Sequence, residues 1–98
     1  MSRRRVVVRP EFFDRLDDLL PDERTPKGDP GTADFILHDL TAVIDTLAED
    51  YVGATLPVEG SDVRLFVFAG MTIPYVAIYA REVGQVVELV WIDVDRYG

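Results

Sequence analysis

The segment VVELVWIDVDRYG runs out on a guanidinium and a phenol, Arg96 and Tyr97, at the end of an apolar alternation that reads as a strand. An uncovered guanidinium can meet an anion, and a phenol can pass a proton when a base lies beside it. A hairpin with Val83 and Gly84 at its tip would set Tyr79 opposite Glu88, so that a carboxylate orients or deprotonates a phenol. An ordinary cross-strand pair, worth a few tenths to about 1 kcal/mol, would look the same. His38 is the single imidazole and falls on the polar stripe of a helix with no Ser or carboxylate pair beside it, which reads as a structural or solvated histidine. Asp93 and Asp95 share a strand face, but two ligands without a third do not make a cation site. The glycine-containing stretches KGDPG and AGMTIP match neither phosphate-binding pattern, and no nucleophile elbow or paired metal-ligand motif occurs. The expectation is a chain that needs neither a metal nor a cofactor. RRRVVVR, at residues 3 to 9, is either a phosphate-contacting strip or an edge strand whose charges discourage aggregation.

Charge narrows the choice of partner. The chain of 98 residues has a net charge of −8, unevenly spread: residues 1 to 9 hold four arginines and no acid, and the other six cations face all eighteen acids. Such a body repels phosphate backbones over a Debye length of about 8 to 10 Å, which argues against broad nucleic-acid binding and for a basic protein partner. With no cysteine there is no disulfide framework, no thiolate nucleophile and no zinc–thiolate site, which fits a reducing cytoplasm. Three valines between Arg5 and Arg9 fall far short of a signal-peptide core, and no stretch approaches the ~20 apolar residues of a membrane helix. The length predicts a single domain over residues 1–98, soluble and unprocessed.

The elements that must carry these residues are legible from periodicity. Arg4 to Arg9 is β-branched and predicts a first strand; Pro10 suits the first turn of a helix running to about Leu20, with Phe12, Phe13, Leu16, Leu19 and Leu20 on its apolar side. Residues 21 to 31, with three prolines and two glycines, predict a long loop. Thr32 is a candidate cap for a second helix reaching Asp50, with Ile36, Leu37, Leu40, Val43, Ile44, Leu47 and Ala48 as its apolar stripe. Residues 63 to 69, 75 to 81 and 86 to 95 predict strands joined by short Gly- or Pro-containing breaks, hence an antiparallel meander.

The fold class is therefore α+β in two layers: two N-terminal helices on one face of a mainly antiparallel four-stranded sheet, in the order β-α-α-β-β-β. In the register set by Val83 and Gly84, Val76, Ile78, Ala80, Val87, Leu89 and Trp91 face the helices. The opposite face then presents Tyr75, Tyr79, Arg81 and Glu88, with Arg96 on the same parity. A two-layer domain needs only one apolar sheet face, and the other is available to a partner.

This order, with VVVRPEFFDRLDDL as first strand and helix, LTAVIDTLAED as second helix and a meander ending in a basic-aromatic tail, resembles the RelE/ParE toxin superfamily of bacterial toxin–antitoxin modules. The resemblance spans nearly the whole chain and implies a toxin neutralised by an antitoxin protein, cytoplasmic, with no membrane partner and a homodimer left open. RelE-like members cut messenger RNA on the ribosome through transesterification by the 2′-hydroxyl, without metal. By position, Arg64, Arg96 and Tyr97 would be the catalytic residues, and Tyr75, Tyr79 and Arg81 would bind substrate. Where ribonuclease members carry an arginine on the third strand, this sequence has Tyr75 or Val76, and Lys27 is its single lysine. The resemblance thus implies, on Arg64, Arg96 and Tyr97, a RelE-like toxin that inhibits translation by ribosome-dependent cleavage of messenger RNA; the departures and the acidic balance favour the alternatives, a ParE-like inhibitor that grips DNA gyrase through protein contacts or a catalytically degenerate interaction module.

Overall fold

The computed structural model describes residues 3–22, 24–28, 31–71 and 73–95. Strand β1 (Arg5–Val8) leads into helix α1 (Pro10–Leu19), whose proline sits at the first helical position where its missing N–H is no loss. Helix α2 (Thr32–Phe35) passes through a π-turn (Ile36–Leu40) into α3 (Thr41–Ala54). Four strands complete the chain: β2 (Leu56–Pro57), β3 (Val63–Phe68), β4 (Tyr75–Val83) and β5 (Val86–Asp95). The sheet runs β1-β5-β4-β3-β2, with β1 parallel to β5 and the other pairs antiparallel. The expected four-stranded sheet thus has a fifth, two-residue strand, formed by Leu56 and Pro57 in a stretch that lacks strand periodicity.

The helices lie on one face, and one core joins the layers. Phe12 and Leu16 of α1 meet Phe35, Val43, Leu47 and Tyr51 of the second helical region over Val76, Ile78, Ala80, Val87, Leu89 and Ile92 of the sheet, all buried. Each large side chain so buried contributes about 1.5–3 kcal/mol, and this burial holds the sheet flat against the helices.

Two breaks in the second helical region correct its expected stripe. The π-turn takes one extra residue per turn, so Phe35 and Asp39 turn inward while Leu37 is left 72% exposed and Ile36 is also exposed. Asp39 is only 3% exposed, and its Oδ1 accepts the Met71 N–H at 2.7 Å, which ties the helix to the β3–β4 connection. Gly70 is required there: a Cβ would sit 2.8 Å from the Ile73 carbonyl and 3.0 Å from Asp39 Oδ2. Further on, Asp50 leaves the helical conformation (φ −146°, ψ 58°) and its Oδ1 accepts the Gly53 N–H at 3.2 Å, capping the last turn. At this break the Ala48 carbonyl accepts the Arg4 N–H at 2.8 Å, fastening α3 beside β1.

The β4–β5 register also differs from expectation. The turn is Gly84–Gln85, with Val83 paired to Val86 and Gly84 at φ +64°, the first central position of a type II′ turn. Arg81 therefore faces Glu88, and a bulge at Val90 sets Tyr79 opposite Trp91. One extra residue reverses the parity of the remainder of β5: Ile92 enters the core, and Trp91, expected beneath the helices, is 43% exposed on the other face.

Candidate functional site

The sheet face away from the helices is built in rows, because partners in adjacent strands point the same way. Leu56, Leu65, Tyr79 and Trp91 form one row across β2, β3, β4 and β5. Val67, Ala77 and Asp93 form the next, and Tyr75 stands beside Asp95. On the other side of the aromatic row lie Val63, Arg81, Glu88 and Val7. Tyr75, Val67 and Trp91 are exposed, and Tyr79 is half-buried between its neighbours.

Among the described residues Arg81, Arg9 and Arg15 are engaged by carboxylates at this face, while Arg5, beside Val86 at the margin of β1, is exposed. Arg81 Nε donates to Glu88 Oε1 at 2.9 Å; that hydrogen bond, and then the charge of Glu88, hold the Arg81 pKa above its ordinary value. Arg9 approaches the same carboxylate at 4.0 Å and Glu11 at 3.9 Å. Arg15, from α1, reaches round the sheet: Nε donates to the Ile92 carbonyl at 3.3 Å, Nη2 to Asp93 Oδ1 at 2.6 Å, and the guanidinium lies 5.0 Å from the centre of the Trp91 ring. Glu88 is therefore not a base for Tyr79, and the expected phenol–carboxylate pair gives way to a Tyr79–Trp91 pair.

Arg64 is on the opposite face. It pairs with Ala80, whose side chain is in the core, so both point toward the helices. Its Nε donates to Thr55 Oγ1 at 2.7 Å and its Nη2 to the Thr55 and Val52 carbonyls at 3.0 and 3.2 Å. These are the free carbonyls at the end of α3, where a cation also complements the helix dipole. Arg64 and Arg4 both approach the ring of buried Tyr51, at 5.9 and 5.6 Å, and burial pushes the Tyr51 pKa up. The structure thus separates Arg64 from Tyr75, Tyr79 and Arg81, which share the open face. Arg96 and Tyr97 lie outside the described residues.

His38 is exposed, as its stripe position implied. Among the described residues no group of three His, Cys, Asp or Glu side chains is arranged to hold a metal ion, and no helix is long and apolar enough to cross a membrane. Trp91 and Arg15 are the members of the face that periodicity missed. The signal was present as a phase slip: Val87 and Leu89 alternate on one parity, Ile92 and Val94 on the other, and the change falls at Val90–Trp91.

A chain in the crystal structure of the toxin–antitoxin complex RelBE2 from Mycobacterium tuberculosis superposes on 95% of this chain and 99% of its own length, with a TM-score of 0.60 and 14% sequence identity. The fold is RelE-like. No protein-family model matches the sequence, and no curated protein matches it. At 14% identity the RelE-like likeness concerns architecture, and the chemistry of the open face rests on the residues described above.

Proposed function

We propose that this chain is the toxin member of a toxin–antitoxin pair and that it acts by gripping a protein target rather than by cutting RNA. The observation that carries this reading is the open face itself: an aromatic and aliphatic row, Leu56–Leu65–Tyr79–Trp91, flanked by guanidiniums already held by carboxylates. A phosphodiester-cleaving site needs cations aimed at the developing phosphorane charge, and losing one such donor costs on the order of 10²-fold or more. Arg64 is turned to the end of α3 and Arg81 is paired with Glu88. A buried apolar centre with aromatic anchors is the usual make-up of a protein-contact surface. The ParE-like alternative fits this arrangement, and the net charge of −8 favours a basic antitoxin as its neutralising partner.

Ribosome-dependent cleavage of messenger RNA is the second reading. Tyr75, Tyr79 and Trp91 could serve as stacking platforms for bases, with Arg96 and Tyr97 supplying the chemistry. Induction in bacteria separates the two. Growth arrest with damaged DNA and intact messages, relieved by Trp91→Ala, supports protein contact. Arrest with messages cut at codon positions, relieved by Arg96→Ala, supports the ribonuclease, and a culture that grows normally at high expression removes both.

A further inference from the structure

We propose that Trp91, Asp93 and the Ile92 carbonyl form a slot for an arginine side chain of the partner protein, and that Arg15 fills this slot until the partner's arginine displaces it. The inference rests on the reading of the open face as a protein-contact surface and gives that partner its recognition group. A planar guanidinium is held by a carboxylate, by a further acceptor for another of its N–H groups, and by an aromatic face to lie on. All three are present. Asp93 Oδ1 accepts Arg15 Nη2 at 2.6 Å, the Ile92 carbonyl accepts Nε at 3.3 Å, and the guanidinium lies 5.0 Å from the centre of the Trp91 ring. The three groups come from consecutive positions of β5, whereas Arg15 belongs to α1. Strand alternation puts the Trp91 and Asp93 side chains on one face, with the carbonyl between them. The pairing of β1 with β5 ends at Leu89, so the slot lies at a stretch of margin that β1 does not cover.

Arg15 is a replaceable occupant. Its ion pair with Asp93 is part-exposed, at 28% and 43% of the two side chains, and its Nε bond is long, so the contact holds weakly. Its own helix offers other partners: exposed Glu11 lies four residues before it and exposed Asp18 three after, both at the spacing of helical ion pairs. Displacement then exchanges one guanidinium for another and leaves no acceptor of the slot unpaired. Charge indicates where the incoming group comes from. Arg9 and Arg81 face acids of this chain, and the net charge of −8 attracts a basic segment. Trp91 is 43% exposed and stands opposite Tyr79, so the aliphatic stem of the incoming arginine lies against the aromatic row. A lysine ammonium is a point charge without the planar fork, so the slot selects arginine.

The test reads the emission of Trp91, the single tryptophan. In Arg15→Ala the slot is vacant, and the blocked tripeptide Gly-Arg-Gly should reverse the red shift of that variant saturably. Gly-Lys-Gly should bind at least about tenfold more weakly, and adding Asp93→Asn should weaken Gly-Arg-Gly to a similar degree. The parental chain, in which tethered Arg15 competes, should bind Gly-Arg-Gly about tenfold or more weakly than Arg15→Ala does. A second arm stands alone if Arg15→Ala fails to fold. Linear peptides selected from a random library on the parental chain, and kept only if they change the Trp91 emission, should share an arginine at one fixed position. Asp93→Asn in the parental chain should weaken them about tenfold or more. The proposal is overturned by a folded Arg15→Ala that gives no saturable response, by equal binding of the two tripeptides, or by a selection that yields no such peptides. Selected peptides that lack arginine, or that ignore Asp93→Asn, overturn it as well and leave Arg15 a structural strap. Neither arm reads growth arrest, so failure of the slot is distinguishable from failure of the toxin assignment.

Discussion

The two sides of the sheet end differently. Along β1 the Arg4 N–H reaches the Ala48 carbonyl at 2.8 Å, the Arg9 N–H continues the ladder to the Leu89 carbonyl at 3.0 Å, and beyond the end of β1 Arg15 takes the Ile92 carbonyl. Phe12 and Leu16 of α1 bury themselves against that side. Along β3 the cover is two residues long, and one of them is Pro57, which has no N–H to extend a ladder. Short, proline-bearing cover is how edge strands avoid indiscriminate pairing, yet it leaves Val67 uncovered. The contrast teaches where the fold invests apolar surface. A helix is committed to closing one margin, and only a capped helix end, held by Arg64, is committed to the other.

Variants at the two margins sharpen this contrast in descending order of effect. Leu16→Ala removes the fully buried anchor of α1 and should destabilise the chain by about 2–5 kcal/mol in chemical denaturation, with faster exchange of the upper β5 amides. An unchanged midpoint would mean that α1 does not seal the margin. Arg64→Ala strips the Thr55 and Val52 carbonyls of their donor and should cost about 1–3 kcal/mol. A variant that keeps parental stability but loses growth arrest would instead make Arg64 functional. Arg15→Ala uncovers Trp91 and frees Asp93, with a loss of about 1 kcal/mol and a red shift in the emission of the single tryptophan.

The smallest effect is one of pH, at Asp34 in the first turn of α2. The Gly31 N–H donates to its Oδ2 at 2.9 Å, and this hydrogen bond, then that from Arg24, lowers its pKa below the ordinary 3.8. The stabilisation is fully present above that unfolded value and is lost as pH falls through the lower folded value. Asp34→Asn should therefore flatten the acid limb of a stability–pH profile below about pH 4, leaving the relative slope at neutral pH unchanged. An acid limb identical in parent and variant would remove Asp34 from the cap.

Much of the architecture could be read from local pattern, since the apolar spacings of α1, α3 and the meander strands each favour one element type, and Pro10 and Gly84 punctuate them. The features that escaped are phase errors. A π-turn and a β-bulge each insert one residue into a stretch compatible with regular structure, and each moves side chains to another face: Ile36 and Leu37 outward in one case, Trp91 in the other. The cap of α2 shows the same limit on a smaller scale, for Gly31 and not Thr32 holds the N-cap, while the Thr32 hydroxyl lies 3.4 Å from Asp17. Of the candidate site, Tyr75, Tyr79 and Arg81 were placed together by alternation alone. Arg64 lies on the other face, a separation that position in a family pattern does not carry.

The amino-acid order by itself determined the helix and strand types, the two-layer arrangement and the acidic character, because these arise from composition and from periods of 2 and 3.6 that each segment carries within itself. Tertiary structure decided which guanidiniums are engaged, which face receives Trp91 and which margin of the sheet stays open. Those outcomes depend on register between segments far apart in the chain, where one inserted residue exchanges inside for outside.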